Sequence, residues 1–203
     1  MERAKAVGLK HLVKFSAIGA HPAASFTWGR QHGMAERLIM DSGMPFTFIQ
    51  PSFFMQNLLW SAEAIKARGE VASALGSARA SHVDARDIAA VITATLTEPM
   101  DRHAGQIHLV TGPVAVTFDQ IAEICSRVVG RPVRHVNLTD AQLKAGLVAS
   151  GQSEWQATAE VELDTYARQG HTSVVTDTVA RIGGRPARTV EQWFQDHAGA
   201  FRG

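Results

Sequence analysis

The sequence has almost no cysteine, no excess of charge of either sign and no long hydrophobic run. Cys125 is the only cysteine among 203 residues, which excludes an intramolecular disulfide and fits a reducing compartment. Lysine and arginine number 20 and aspartate and glutamate 19, so no basic or acidic surface points to nucleic acid or a membrane as a partner. Because the apolar runs are too short to span a membrane and the first residues are too polar for a signal peptide, we expect a cytoplasmic protein.

Several motifs that carry chemistry are also missing. The sequence contains no G-x-S-x-G elbow, no P-loop and no H-E-x-x-H pair, and its nine histidines are scattered, so we predict no metal site. A dinucleotide site needs a glycine-rich turn between a strand and a helix, where backbone amides meet the pyrophosphate. Gly183 and Gly184 follow no clear strand and are predicted to form a turn. No other stretch of the sequence supplies such a loop.

The sequence is organised around residues 42–57, which read SGMPFTFIQPSFFMQN. The apolar and aromatic residues before Pro51 predict a buried strand over 45–50, and the helical spacing of the apolar residues after it predicts a helix that ends at Gly69. A strand that leads into a helix across a tight turn is the unit of an open α/β sheet, whose ligands lie at the carboxyl ends of the strands. Residues 50–53 are therefore a candidate ligand-facing loop.

Strands and helices alternate along the rest of the chain. The same patterns predict strands over residues 11–17, 71–75, 80–83, 106–111 and 132–137, and helices over 32–42, 85–97, 117–129 and 154–168, with a short helix or turn at 177–182. Capping boxes mark three helix starts: Thr117 with Gln120, Thr139 with Gln142 and Thr189 with Gln192. This mixture of elements indicates an α/β fold whose C-terminal part is a smaller lobe.

The pair His32 and Glu36 is the candidate for proton chemistry. The two residues lie four apart on a predicted helix, so the carboxylate could orient the imidazole and stabilise its charge. The same spacing is common on solvated helix surfaces, and that interpretation stays open. We expect the apolar face of this helix to consist of Met34, Ala35, Leu38 and Ile39.

Other conspicuous residues have structural interpretations. Asp84 and Asp87 are expected to be the N-cap and a first-turn residue of the next helix, rather than catalytic groups. Cys125 lies on the apolar face of its helix and is expected to be a buried small hydrophobe, rather than a nucleophile. The packing residues expected for the helix over 154–168 are Trp155, Ala159, Leu163 and Tyr166.

Six stretches of the sequence together resemble the NmrA-like family. They are LKHLVKFSAIGA (9–20), H-x-x-x-E (32–36), SGMPFTFIQPSFFMQN (42–57), HVDARDIAAV (82–91), GQIHLVTGPVAVTFDQIAEICSRVVGRPV (105–133) and VTDTVARIGGRPARTVEQWF (175–194). The resemblance covers nearly all of the chain. The family consists of atypical short-chain dehydrogenase/reductase relatives, which include NAD(P)H-dependent quinone, azo-dye and triphenylmethane-dye reductases and redox-sensing regulators.

The sequence departs from this family at its start. In the family, a βαβ region with the glycine-rich loop precedes the strand at residues 11–17, whereas here Met1 stands just before it. The resemblance therefore implies a partial Rossmann-like parallel sheet without its N-terminal strands in residues 1–115, and a mostly helical lobe, mainly for substrate, in residues 116–203. It also implies that binding of NADP or NAD is weakened or lost. The strand at 11–17 would become an exposed sheet edge, so we expect self-association or loose packing.

The resemblance also suggests roles for individual residues. Those expected beside the nicotinamide are Ser16 and Ala17 at the end of one strand, and Gln50, Pro51, Ser52 and Phe53 after the next. His32 and Glu36 occupy positions that hold tyrosine and lysine in the better-known short-chain reductases, so the usual proton relay is absent. Phe53 is equally consistent with core packing, and Asn57 is expected to hold the helix that follows it.

Three interpretations of the function remain open. The first is an oxidoreductase that passes hydride from NAD(P)H to a quinone, azo or similar electron-poor small-molecule acceptor. In this interpretation His32 donates the accompanying proton, and Glu36 orients the His32 imidazole. The second is a regulatory protein that senses NAD(P) without catalysis. The third is a truncated remnant that binds no dinucleotide tightly, which the missing phosphate loop favours.

Overall fold

The computed structural model of the protein describes residues 1–202. Its strands are β1 (Leu12–Phe15), β2 (Phe46–Pro51), β3 (Glu70–Ser73), β4 (Gln106–Val110) and β5 (Arg134–Asn137). Its α-helices are α1 (Glu2–Ala6), α2 (Thr27–Asp41), α3 (Ala62–Arg68), α4 (Ala85–Thr97), α5 (Phe118–Val129), α6 (Asp140–Ala149), α7 (Glu154–Arg168), α8 (Thr178–Gly183) and α9 (Val190–Asp196). Short 3₁₀ helices span Met55–Ser61, Met100–Arg102 and Ala198–Ala200. The predicted α/β fold is confirmed.

Two parallel sheets organise these elements. β2 lies between β1 and β4, with Leu12 opposite Phe46 and Thr47 opposite Gln106. β3 and β5 form a separate two-stranded sheet. Because the strands of the larger sheet run parallel, the carboxyl ends of β1, β2 and β4 meet at one edge, where ligands of such sheets bind.

The core consists of two apolar clusters. The first covers the larger sheet with residues of β2, β4, α4, α8 and the segment before α4: Ile49, Val83, Ile88, Val91, Val110, Val179 and Ile182. The second joins α3, α5 and α9 around Trp193, Phe194 and Phe201, all of which are fully or almost fully buried. Full burial of each such side chain is worth about 1.5–3 kcal/mol relative to exposure. The two clusters hold the elements that surround the site.

Most helix boundaries were predictable from local capping signals. The capping boxes at Thr117, Thr139 and Thr189 are confirmed, and Ser153 with Gln156 forms a fourth, unpredicted one at the start of α7. Gly69 ends α3 in the left-handed conformation with φ 66°, as its C-cap position predicted. The helix expected directly after Ser52 begins instead as the 3₁₀ segment at Met55.

The expected apolar face of α2 is confirmed only at Ile39, which is buried. Met34 and Leu38 are 59% and 67% exposed, whereas the buried residues of the helix are Gly29, Gly33, Glu36 and Ile39. The loop at His21 packs directly on Gly33, where a Cβ would lie 2.1 Å from the His21 carbonyl carbon. The helix also begins at Thr27, earlier than expected, because Glu162 of α7 accepts a hydrogen bond from the Thr27 backbone N–H at 2.6 Å.

One other expectation fails, and another is confirmed only in part. Residues 80–83 do not form a strand, because Ala80 pairs antiparallel with Val116 while Val83 pairs parallel with Phe54, so no continuous ladder results. On α7, Ala159 is buried as expected, but Trp155 is half exposed and Leu163 and Tyr166 are only partly buried. The other buried residues of the helix are Ala157, Asp164 and Ala167.

β1 is an edge strand of the larger sheet within the described residues. An edge strand presents unpaired backbone groups, so self-association through β1 stays a prediction. None of the helices in residues 1–202 is long and apolar enough to cross a membrane.

Candidate functional site

A cleft of about 280 Å³ lies at the carboxyl ends of β1 and β2. The turn after β1 forms one wall, the turn after β2 forms another, and α2 closes a third side. The predicted site residues that line this cleft are Ser16, Ala17, His32, Pro51, Ser52 and Phe53. The topology of a parallel sheet therefore brings most of the predicted site together.

Five polar side chains form one hydrogen-bonded cluster at the wall of the cleft, which Ser16 and His32 line, and behind it. Lys14 Nζ donates to His32 Nδ1 at 2.8 Å and to Ser16 Oγ at 2.9 Å. Ser16 Oγ donates to Glu36 Oε1 at 2.5 Å. Gln50 Nε2 donates to the two Glu36 carboxylate oxygens at 3.0 and 3.2 Å. One hydroxyl thus joins an ammonium group to a carboxylate.

The charge state of His32 follows from these contacts. Burial, and next the Lys14 ammonium group, lower the pKa of His32 below its ordinary value. Burial also lowers the pKa of Lys14, and the Glu36 carboxylate opposes that change. Because an ammonium group can only donate, Nδ1 of His32 must be its unprotonated nitrogen. The neutral ring therefore carries its proton on Nε2.

The expected contact between His32 and Glu36 does not occur. No hydrogen bond joins the two side chains within residues 1–202, and Glu36, which is 4% exposed, accepts from Ser16 and Gln50 instead. Glu36 points inward because it lies on the buried face of α2 with its small residues. Gln50 supports Glu36 and does not line the cleft, contrary to its expected position facing a ligand.

A second pocket, of about 440 Å³, adjoins the cleft. Phe53, Phe54 and Asn57 line both spaces, so a molecule in one would lie next to a molecule in the other. Apolar side chains such as Leu143 and Phe118 form most of its wall. Apolar walls with a few polar groups are typical of small-molecule sites. We call this space the acceptor pocket.

His82 is a neutral polar group of the acceptor pocket. Its ring lies between Phe53 and Phe118, with ring centroids 5.7 and 5.9 Å away. Burial lowers the pKa of His82 to about 4, so the ring is uncharged near pH 7. Nδ1 lies 3.2 Å from the Ala80 carbonyl oxygen, which makes it the donor and leaves Nε2 as an acceptor.

Two carboxyl groups on α7, Glu160 and Asp164, also line the acceptor pocket. They lie one helical turn apart. Burial, and next the neighbouring Glu160, raise the pKa of Asp164 to about 7, although Arg168 opposes this change. Burial also raises the pKa of Glu160. This end of the pocket therefore changes charge near neutral pH.

Replacing Asp164 by asparagine should make stability less dependent on pH. A carboxyl whose folded-state pKa is raised from 3.8 to about 7 costs stability progressively as pH rises through that interval. We expect the stability of the variant relative to the wild type to increase by about 2–3 kcal/mol as pH rises from 5 to 8. Urea unfolding at both pH values measures the gain, and the exposed Asp101→Asn is the control. An equal difference in unfolding free energy between the variant and the wild type at pH 5 and pH 8 would contradict this prediction.

Asp84 and Asp87 have the structural roles that the sequence predicted. Asp84 caps α4 by accepting from the Arg86 backbone N–H at 2.8 Å. Asp87 is fully buried in the first turn. Cys125 is also fully buried, and burial raises the pKa of its thiol to about 11, so the prediction of a small core residue is confirmed. In residues 1–202 no group of three or more His, Cys, Asp or Glu side chains could hold a metal ion.

Sequence reasoning missed Lys14, His82 and Asp164. Lys14 precedes Ser16 by two residues, so the period of a strand places both on one face. Asp164 is spaced from Ala157 and Ala167 at helical intervals, which indicates the buried face of α7. The role of His82 had no local signal, because its neighbours come from Phe53 and Phe118, which are distant in sequence.

Comparison with known proteins identifies relatives across nearly the whole chain. The chain is 43% identical over 198 residues to the NAD(P)H azoreductase of Xenophilus azovorans, which covers 98% of this chain and 68% of that protein. It is 37% identical to the (4-alkanoyl-5-oxo-2,5-dihydrofuran-3-yl)methyl phosphate reductase of Streptomyces griseus, covering 98% of this chain and 70% of that enzyme.

Solved structures share this fold. The NADPH-dependent quinone oxidoreductase QOR2 of Escherichia coli, solved in complex with NADPH, superposes with a TM-score of 0.87 at 25% identity, over 98% of this chain and 69% of that chain. The triphenylmethane reductase of Citrobacter sp. has a TM-score of 0.81 at 20% identity, over 97% of this chain and 68% of that chain, which shows the fold alone. The model of the NmrA-like family matches residues 2–186, and this match, with the identity to the azoreductase, shows that the chain belongs to the NmrA-like family.

Proposed function

We propose that this chain reduces a quinone, azo or similar electron-poor small molecule with a nicotinamide cofactor, NADPH or NADH. The observation that carries the proposal is the pair of adjoining spaces that share Phe53, Phe54 and Asn57. One of them lies where a parallel sheet binds ligands, and the other has the apolar wall that an aromatic acceptor needs. The similarity to an NAD(P)H azoreductase supports the same reaction.

The cleft suits the nicotinamide end of such a cofactor. Its volume of about 280 Å³ matches a ring with part of a ribose rather than a whole dinucleotide. Ser16, Ala17, Pro51 and Ser52 would hold that end, since they line the cleft. A bound reduced nicotinamide supplies the hydride. The sequence has no glycine-rich loop for the pyrophosphate, so we propose that this chain binds the cofactor more weakly than a complete dinucleotide site would.

His32 is the proposed proton donor. It lines the cleft, and its neutral ring carries the proton on Nε2. Lys14 Nζ lies 2.8 Å from Nδ1 and can return a proton to the opposite side of the ring. An imidazole can pass a proton in this way without holding a full positive charge. Lys14 is thus a positioning residue with an additional relay role.

Glu36 is proposed to act on His32 only indirectly. It accepts from Ser16, and Ser16 accepts from Lys14, so the carboxylate fixes the orientation of the ammonium group. Gln50 holds the same carboxylate from β2. This arrangement replaces the direct imidazole–carboxylate pair that the spacing on α2 indicated.

The proposal is tested by titrating the purified chain with NADPH and then measuring NADPH oxidation. We expect saturable nicotinamide fluorescence with a Kd on the order of 1 μM, equivalent to about 8 kcal/mol, and oxidation that depends on an added naphthoquinone or azo dye. Ala17→Phe should block the cleft and abolish binding, whereas Ala67→Phe, on the exposed side of α3, should not. Binding without oxidation would favour an NAD(P)-sensing protein, and no binding would reject the proposal.

A further inference from the structure

The acceptor pocket combines an apolar wall with an acidic end. Asp164 is 9% exposed and lines the pocket. Its carboxyl accepts from the Ala74 backbone N–H, but within residues 1–202 it has no ion pair and no side-chain hydrogen bond. Arg168, one turn further along α7, is engaged elsewhere. It donates to the Ala74 carbonyl oxygen at 2.6 Å and to Asp140 Oδ2 at 2.9 Å. A buried carboxylate without a directly paired cation is unfavourable, so a cation bound in the pocket would stabilise this group.

We propose that Glu160 and Asp164 select acceptors that carry an ammonium group at the end of an otherwise apolar body. This inference rests on the proposed function, because it assigns the acceptor class of the same pocket. The ammonium group would donate charge-assisted hydrogen bonds to Asp164, while the apolar body packs against side chains such as Leu143 and Phe118. An alkyl group would leave the carboxylate unpaired, and a sulfonate would be repelled by it.

The selection should depend on pH. The charged and titratable groups around Asp164 are Glu160 and Arg168 on α7, Asp140 at the start of α6, and the neutral His82 across the pocket. Two further groups on neighbouring elements have other partners: Lys144 pairs with Glu154, and His135 with Asp119. Because burial raises the pKa of Asp164 to about 7, its carboxyl ionises as pH rises from 6 to 8. The preference for an ammonium group should increase over the same interval.

Three azobenzenes of similar size test this inference, with para substituents aminomethyl, ethyl and sulfonate. The aminomethyl group is protonated throughout this pH range and is nearly isosteric with ethyl. Their affinities for the full chain without cofactor are measured by quenching of tryptophan fluorescence, since Trp60 lines the pocket. At pH 8 we expect the aminomethyl compound to bind about tenfold more tightly than the ethyl compound, and the sulfonate to bind more weakly than both. At pH 6 the tenfold preference should fall to about threefold or less.

Variants identify the residue responsible. Asp164→Asn should reduce the preference at pH 8 to about threefold or less, and it is expected to fold because it removes an unfavourable buried charge. Asp101→Asn, which removes one exposed carboxylate outside the pocket, should keep the preference. Equal affinities for the aminomethyl and ethyl compounds, or an unchanged preference in Asp164→Asn, would overturn the inference.

The binding assay separates this inference from the proposed reaction. If these compounds oxidise NADPH but the aminomethyl and ethyl compounds bind with equal affinity, only the inference about ammonium groups is overturned and the reductase proposal stands. A preserved preference without any oxidation of NADPH would reject the reductase proposal and support the pocket's selectivity for ammonium compounds.

Discussion

Replacing Asp87 by alanine should lower the free energy of unfolding by about 3 kcal/mol. The fully buried Asp87 carboxylate accepts from the Arg188 backbone N–H at 2.7 Å and also binds the Arg188 guanidinium group. Arg185 Nη2 lies 3.2 Å from the same carboxylate. Asp87 therefore joins the start of α4 to the segment that leads into α9. Its removal leaves two partly buried guanidinium groups without this partner.

Urea unfolding with an unchanged denaturant slope would measure this loss. Asp87→Asn keeps an oxygen acceptor but removes the charge, so we expect it to lose about half as much stability. The exposed Asp101→Ala, matched in chemistry, should change stability by less than about 0.5 kcal/mol. A loss below about 1 kcal/mol in Asp87→Ala would contradict the structural role of this ion pair.

Replacing His32 by alanine should lower the turnover of an electron-poor acceptor about 100-fold, with little change in the affinity for NADPH. The expected loss is that of a positioned proton donor, equivalent to about 2.7 kcal/mol of transition-state stabilisation. The affinity should persist because the residues proposed to hold the nicotinamide are those after β1 and β2. Single-turnover measurements with a naphthoquinone would separate the chemical step from product release.

Two variants test whether His32 is the proton donor and whether Lys14 controls its pKa. Lys14→Met should raise the pKa of His32, because the ammonium group next to Nδ1 helps to lower it, and an NMR titration of the imidazole measures that change. His11→Ala removes an imidazole at the opposite end of β1 and should leave turnover unchanged. Unchanged turnover in His32→Ala would remove the proposed role, and an equal loss in His11→Ala would point to a general effect on folding.

Local signals explain why much of the fold was predictable. The strand before Pro51, the helix from Ala85 to Thr97 and the capping boxes at Thr117 and Thr139 depend on residues a few positions apart. The strand predicted over residues 80–83 was wrong, although their alternation resembles a strand. Their pairing partners, Phe54 and Val116, lie in different parts of the chain, and one pairs parallel and the other antiparallel. Tertiary pairing decides such a case.

The candidate site was predictable in its position but not in its contacts. The resemblance to the NmrA-like family implied that Ser16 and Ser52 lie beside one ligand, with His32 as the proton donor. In the structure all three line one cleft, because the parallel strands β1 and β2 align their carboxyl ends next to α2. Helical spacing also placed His32 and Glu36 on one side of α2, but it could not show which partner each side chain would meet. Lys14 comes from β1 and Gln50 from β2, and the register between these two strands sets which groups of α2 they contact.

The sequence by itself determined the α/β class, the order of the main elements and the absence of a glycine-rich phosphate loop, because these depend on residue type and short-range spacing. Only the tertiary structure decided that Glu36 is buried against Ser16, that Lys14 rather than Glu36 contacts His32, and that Asp164 ends an apolar pocket. The physical reason is that burial and charge pairing depend on groups brought together from distant parts of the chain.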